Sequence, residues 1–294
     1  NSPALFNGNQ KAFRPFILGY GGSEMYLIDS RFESLGFEAV GAYGISMRAI
    51  SGKALTETPD ALKSHYGKAP TGWILGSQFT DLYFGYYSYA AKDVVIMNNE
   101  YANNIVYGID PHDYTTGLIV AHNKIYGTQK LHGFIGSRHV SNSYIFNNEI
   151  FDNPRSGIML DRQSDNNVIA YNKAYRNGGD GITLYESSNN QVVGNQFYEN
   201  RQHGMRARNS VNNIFQDNVV VGNTGSGAYF HTRNLSDHSE RDIVKDPYQM
   251  RVNGTVSGGL IVGNRSAAVY SEDAEWLVFS GLRMEQNGTS TQFK

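Results

Sequence analysis

Short apolar runs broken by Asn and Gly recur along the chain from Trp73 onward. Segments of the form apolar-x-x-Asn place Asn99, Asn123, Asn148, Asn172, Asn195 and Asn218 in one column, at steps of 24, 25, 24, 23 and 23 residues, with Ser30 and Ser77 as earlier members. A second column holds Gly108, Gly133, Gly157, Gly181, Gly204 and Gly227, at steps of 25, 24, 24, 23 and 23. Strands this short cannot bury an apolar face alone, so two columns that keep time predict coils stacked one on the next. A leucine-rich repeat shares the period but needs a leucine consensus that is missing. The pattern therefore predicts an all-β chain, a right-handed parallel β-helix with coils of about 23–25 residues, in a single domain over 1–294.

Residues 1–47 read as strands of early coils: Phe16-Ile17-Leu18, Met25-Tyr26-Leu27-Ile28, Phe37-Glu38-Ala39-Val40 and Tyr43-Gly44-Ile45-Ser46-Met47. Two stretches break the period. Residues 48–71, with Pro59 and Pro70, are expected to bulge out as an insertion with a helical turn around Ala61 to Ser64. Residues 233–250 are dense in charge and read as a solvated loop, with a flap beside the groove as the alternative. Further coils follow through Leu260-Ile261-Val262 and Trp276-Leu277-Val278-Phe279. The asparagine column is expected to form amide ladders at coil corners, and the glycines to supply positive φ or tight corners.

After each column glycine the strand alternates. Ile109, Phe134, Ile158, Ile182, Met205 and Ala228 then face the core. Asp110, Ile135, Met159, Thr183, Arg206 and Tyr229 face solvent, together with His112, Ser137, Asp161, Tyr185, Arg208 and His231 two residues on. Asp113, Arg138, Arg162, Glu186 and Asn209 border one edge of this face. Tyr107, His132, Ser156, Asp180, His203 and Ser226 border the other. With coils about 4.8 Å apart, this is a groove carrying charge at regular intervals, which suits a linear repeating polymer.

The net charge of −2 gives no general reason to bind a polyanion, so placed cations must do it. Arg138, Arg162, Arg206 and Arg208, with Lys130 nearby, can pair with carboxylates along such a polymer. For each arginine an internal ion pair with a neighbouring acid is the equal alternative. Interleaved Asp110, Asp113, Asp161 and Glu186 argue against nucleic acid. Cysteine is absent, which excludes disulfides, thiolate metal sites and cysteine nucleophiles. Neither a membrane span nor a signal peptide is expected, since no long apolar run exists and Asn1-Ser2-Pro3 has no basic leader character.

His112 stands apart from the other histidines. Asp110 and Asp113 flank it, Tyr107 lies one turn earlier and Arg138 one coil away, which are the surroundings of a general base. A metal would need a more convergent set of ligands, so neither metal nor cofactor is expected.

The run Tyr107-Gly108-Ile109-Asp110-Pro111-His112-Asp113 resembles the Tyr-Gly-x-Asp-Pro-His motif of mannuronan C5-epimerases, which act on alginate. Ser137-Arg138, Leu160-Asp161-Arg162, the run from Asp180 to Ser187, the run from Arg206 to Asn212, Arg14-Pro15-Phe16 and Asp242-Ile243 also resemble the periplasmic members of that family. The resemblance implies a right-handed β-helix, His112 as base and Arg138 as the cation that neutralises the substrate carboxylate, with Tyr107 and Asp110 at other active-site positions. It also implies a periplasmic location, a polymannuronate or alginate substrate, and other proteins of an alginate export assembly as partners. Tyr114-Thr115-Thr116 and Gln129-Lys130-Leu131 depart from the family, leaving fewer cations near the motif. Family members extend further at the N-terminus, so the first coil is expected to lack a cap.

Epimerising a uronate within a polymer removes the C5 proton and returns one to the opposite face. Arg138 would stabilise the charge that develops on the carboxylate, and His112 would take the proton. Asp110 or Asp113 would orient the ring, and Tyr107 or a water would deliver the new proton. Lys130, His132, Asp161, Arg162, Tyr185, Glu186, His203, Arg206 and Arg208, with Asp113, are the expected contacts to polymer. Three alternatives stay open at this point: a polyuronate lyase, which begins with the same proton abstraction, a glycosidase using Asp161 with Asp180 or Glu186, and a non-catalytic polyuronate-binding or export module.

Overall fold

The computed structural model describes residues 14–50, 56–235, 244 and 247–288, with the backbone of 292–293. Its strands form three sheets of 11, 10 and 10 strands, and every neighbouring pair is parallel and comes from successive coils. The chain is a right-handed parallel β-helix of about 11 coils.

The front sheet carries the strand that follows each column glycine. Tyr107–His112, Phe134–Ser137, Ile158–Asp161, Ile182–Tyr185, Met205–Arg208 and Ala228–His231 lie side by side in it. Register is direct: Ile109 pairs with Phe134, Phe134 with Ile158, Ile158 with Ile182 and Ile182 with Met205. All of these are buried, as the alternation predicts. The other two sheets close the core with their own files, among them Ile96, Val120, Ile145 and Ile169, and the stacked rings of Phe32, Phe79 and Tyr101. Each fully buried aliphatic or aromatic side chain contributes roughly 1.5–3 kcal/mol.

The asparagine column is an amide ladder. Asn99 Nδ2 donates to Asn123 Oδ1 at 3.0 Å, Asn123 to Asn148 at 3.0 Å, Asn148 to Asn172 at 2.9 Å, Asn172 to Asn195 at 3.0 Å and Asn195 to Asn218 at 3.1 Å. Ser30 and Ser77 continue it upstream: Ser77 Oγ accepts the Ser30 amide, and Asn99 Oδ1 accepts the Ser77 amide. Parallel ladders stand at the other corners, through Asn153, Asn177, Asn200, Asn223 and Asn264 and through Asn167, Asn190 and Asn213. They satisfy buried corner amides that neither flanking strand can reach.

Three expectations are corrected. Phe37–Val40 is a turn and not a strand; the third strand of the first coil is Arg31–Glu33. Of the two alternatives for the column glycines, positive φ fails and close packing holds. These glycines turn a tight corner where a Cβ would strike the core, 2.3 Å from Ile125 Cγ2 at Gly108 and 2.2 Å from Val220 Cγ1 at Gly204. Asp110, Ile135, Met159 and Thr183, with Ser137 and His231 of the file two residues on, belong to the outward files yet are buried and do not face solvent.

Of the two excursions, residues 51–55, 236–243 and 245–246 lie outside the described residues, as do Asn1 to Pro3, Asp242 and Ile243. The first excursion holds the helix Asp60–Tyr66, all on the surface. In the second, the carbonyl of Pro247 accepts a hydrogen bond from Gln163 Nε2 at 2.7 Å. Among the described residues no helix is long and apolar enough to cross a membrane.

Candidate active site

His112 ends its strand on the outward side and is half-buried. Its Nδ1 is hydrogen-bonded to Asp113 Oδ2. A carboxylate only accepts, so Nδ1 carries the hydrogen and Nε2 presents a lone pair to the groove. Burial works against the ring's proton, but the hydrogen bond to Asp113 and the charges of Asp110 and Asp113 outweigh it, and the affinity is raised over an ordinary histidine's. The Arg138 guanidinium acts in the opposite direction, which places it within electrostatic reach of the ring.

Arg138 lies one coil on. Its neighbour Ser137 pairs in register with His112, and Arg138 itself is an exposed corner residue at φ 60°. The same corner is turned in left-handed conformation by Arg162, Glu186 and Asn209, which is why these residues share an edge. The Arg138 carbonyl accepts the Tyr114 amide at 3.2 Å, and the Tyr114 ring stacks on His139 at 4.7 Å.

Asp110 sits beneath this pair, 2% exposed, with Oδ1 buried and without a hydrogen-bond partner. Desolvation raises its pKa to about 7; His112 opposes the shift and Asp113 adds to it. Tyr107 stands at the far edge, packed edge-on against Phe84 at 5.1 Å and parallel to His132 at 6.3 Å. Burial, then Asp110 and Asp161, hold its phenol protonated well above the ordinary tyrosine range. The groove thus brings a raised-pKa imidazole, a neutral-leaning carboxyl and a reluctant phenol together with an open guanidinium.

The remaining predicted contacts divide. His132 stacks beside Tyr107, and burial pushes its pKa down to about 4, so it is neutral. Lys130 is exposed at the corner preceding that strand. Asp161 and Arg162 lie near each other, 3.7 Å from Oδ2 to Nε. A second cluster forms further along. Arg208 Nη2 donates to Glu186 Oε1 at 2.9 Å, and the Arg208 guanidinium lies 3.7 Å over the Tyr185 ring. Glu186 is buried by this pair, so at Arg208 the internal ion pair is realised. Arg206 donates from Nε to His231 Nε2 at 3.2 Å and lies between the rings of Tyr185 and Tyr229. His203 accepts the Ser226 amide on Nδ1 at 3.0 Å and tilts against Tyr229.

Sequence reasoning missed the upstream wall. Tyr87 pairs in register with Asp110, and its ring is 5.8 Å from His112 and 4.8 Å from Tyr43. Gly85 stands one period before Gly108, and extending the column to it would have placed Tyr87 and Tyr89 in the outward files. Beside the groove, a pocket of about 530 Å³ opens where Pro247, Tyr248 and Arg251 face Gln163, Asp165 and Glu186. Among the described residues no group of three His, Asp or Glu side chains converges as a metal site would require.

Comparison with known proteins places these features in a family. The family model described as a right-handed β-helix region matches residues 128–240. The mannuronan C5-epimerase of Pseudomonas putida is 46% identical over 266 residues, which is 90% of this chain and 50% of that protein. Mannuronan C5-epimerase AlgG of Azotobacter vinelandii is 44% identical over 269 residues, 92% of this chain and 50% of its own length. The crystal structure of the periplasmic alginate epimerase AlgG has a TM-score of 0.87 to this chain at 42% identity, covering 93% of this chain and 62% of that one. The chain spans about half the length of the curated relatives it matches. Over the part that it spans, in sequence and in fold, the chain belongs with the mannuronan C5-epimerases.

Proposed function

We propose that the chain is an isomerase that converts β-D-mannuronate to α-L-guluronate within polymannuronate, acting in the periplasm. The observation that supports this reading most directly is the His112–Asp113 hydrogen bond one coil before Arg138, whose neighbour Ser137 pairs in register with His112. A uronate carboxylate seated at Arg138 brings its C5 hydrogen toward His112 Nε2. The proton passes to Nε2, and the electron pair of the C5–H bond delocalises into the carboxylate, where the fixed guanidinium stabilises it. A proton returned to the other face of C5 completes the inversion and leaves every other bond intact.

Tyr107 is suited to the acid role because its phenol keeps its proton at any working pH. Its hydroxyl, or a water beside it, protonates C5; the cycle closes when His112 gives up its extra proton to solvent and the resulting phenolate or hydroxide takes one back from solvent. Asp110, with its pKa raised to about 7, is roughly half-protonated at pH 7 and so places less negative charge beneath the developing carbanion than an ordinary carboxylate would. The wider groove of paired arginines and aromatic rings suits a linear polyuronate as partner, and proteins of an alginate export assembly are further partners under this proposal.

The test is incubation of the protein with polymannuronate, followed by NMR of the product. Guluronate signals without chain cleavage are the expected result. Unsaturated ends absorbing in the ultraviolet would instead mean elimination, and an unchanged polymer would mean a binding role.

A further inference from the structure

The outward file that contains His112 continues upstream. Arg48 pairs in register with Tyr89, and Tyr89 with His112, so Arg48 stands two coils before the imidazole while Arg138 stands one coil after it. Two coil spacings are about 10 Å. The Arg48 guanidinium lies over the Tyr89 ring at 5.4 Å, and its Nε is buried without a hydrogen-bond partner. Among the described residues no carboxylate forms an ion pair with it. Its charge acts on phenols instead, easing the ionisation of Tyr43 and Tyr87 against the burial that opposes it.

A guanidinium partly withdrawn from water with no ion-pair partner among the described residues is costly, and a ligand carboxylate would recover that cost through charge-assisted hydrogen bonds. Between Arg48 and His112 the wall is aromatic, built from Tyr89, Tyr87 and Tyr43. Such rings suit the apolar faces of pyranose sugars while their hydroxyls stay wet. One sugar of an extended 1,4-linked chain advances it by roughly one coil spacing, so two coils correspond to two sugars.

We infer that Arg48 binds the carboxylate of a uronate two sugars away from the one at His112, on the side opposite Arg138. The inference rests on the polyuronate reading proposed above. Arg48 and Arg138 then grip the polymer on either side of the imidazole, and Arg48 acts on polymer position and affinity without touching the reacting carbon.

The experiment compares the unmodified chain with Arg48→Gln and Arg48→Lys, using oligomannuronates of increasing length and calorimetric Kd alongside KM and kcat. With long oligomers, Arg48→Gln should raise Kd and KM by about tenfold or more, the loss of one charge-assisted contact, with kcat nearly unchanged. Arg48→Lys should fall between. With oligomers too short to reach both sites, and with a carboxyl-reduced polymer, the three proteins should bind alike. Equal affinity at every length overturns the inference, and so does an equal loss with short and long oligomers, which is the signature of a folding defect. Length-dependent loss of binding in a protein that makes no guluronate supports Arg48 as a carboxylate site while overturning the epimerase reading. Failure of the unmodified chain to bind any oligomannuronate overturns both.

Discussion

His112 donates its Nδ1 hydrogen to the carboxylate of Asp113, the next residue in the chain, and this bond leaves Nε2 as the only nitrogen that can accept a proton from substrate. The same bond raises the proton affinity of the ring. As a base His112 must be neutral, so conversion should rise with pH through its raised pKa. Asp113→Asn removes the acceptor charge, and the rising limb of the pH–rate profile should move to lower pH. An unmoved limb would mean that Asp113 does not set the protonation of His112.

Asp110 supplies a stability prediction with a definite sign. Its folded pKa, about 7, is above the ordinary carboxyl value of 3.8. Below pH 3.8 both folded and unfolded chains hold the proton, and no penalty exists. Between these values the unfolded chain has lost it and the folded chain keeps it, so stability falls as pH rises and levels off above about 7. The full penalty is about 4 kcal/mol, by order of magnitude. Asp110→Asn should therefore raise Tm at pH 8 and leave it nearly unchanged at pH 3.5 to 4, as followed by thermal unfolding.

Arg138 and Arg208 should separate activity from stability. Arg138 is exposed at a corner, whereas Arg208 forms an ion pair with the buried Glu186. Arg138→Ala should abolish conversion with Tm within a degree or two. Arg208→Ala strands a buried carboxylate and should cost about 3 kcal/mol, a fall of several degrees in Tm. The reverse assignment of effects would show that the open cation is not the one that serves the reaction.

The ladders predict a cost without any role in chemistry. Asn148 Nδ2 donates to Asn172 Oδ1 and to the Val120 carbonyl, and Asn148 Oδ1 accepts from the Asn123 backbone and side chain. Asn148→Ala should destabilise by roughly 2–4 kcal/mol, because buried donors and acceptors on both neighbours lose their partners. Exposed Gln191, on a strand with ordinary backbone angles, should tolerate truncation to Ala within about 0.5 kcal/mol. Denaturant unfolding of the two variants makes the comparison.

The coil architecture was legible because stacking imposes a period, and Asn and Gly mark the same corner in every coil. The core file from Ile109 to Ala228 followed from alternation alone. Burial within the outward files was not legible: Asp110 and Thr183 are buried, Thr183 against Ser156 and Asp180 of the bordering edge, and alternation along one strand does not encode such contacts. Pairing was half-legible. Glu186 and Arg208 sit one coil apart in adjacent files, so an ion pair was foreseeable, but which arginines it would occupy depended on rotamers. Tyr87 and Arg48 escaped because the glycine column was begun at Gly108, one coil after that of Tyr87 and two after that of Arg48.

The most direct test of the central claim, that the His112 imidazole exchanges a C5 proton over an intact polymer, is product NMR after incubation with polymannuronate in deuterated water. The unmodified chain should yield guluronate carrying deuterium at C5, and His112→Gln should yield neither guluronate nor deuterium while still binding polymer. Guluronate that retains its original C5 hydrogen, or His112→Gln turning over at the unmodified rate, would contradict it.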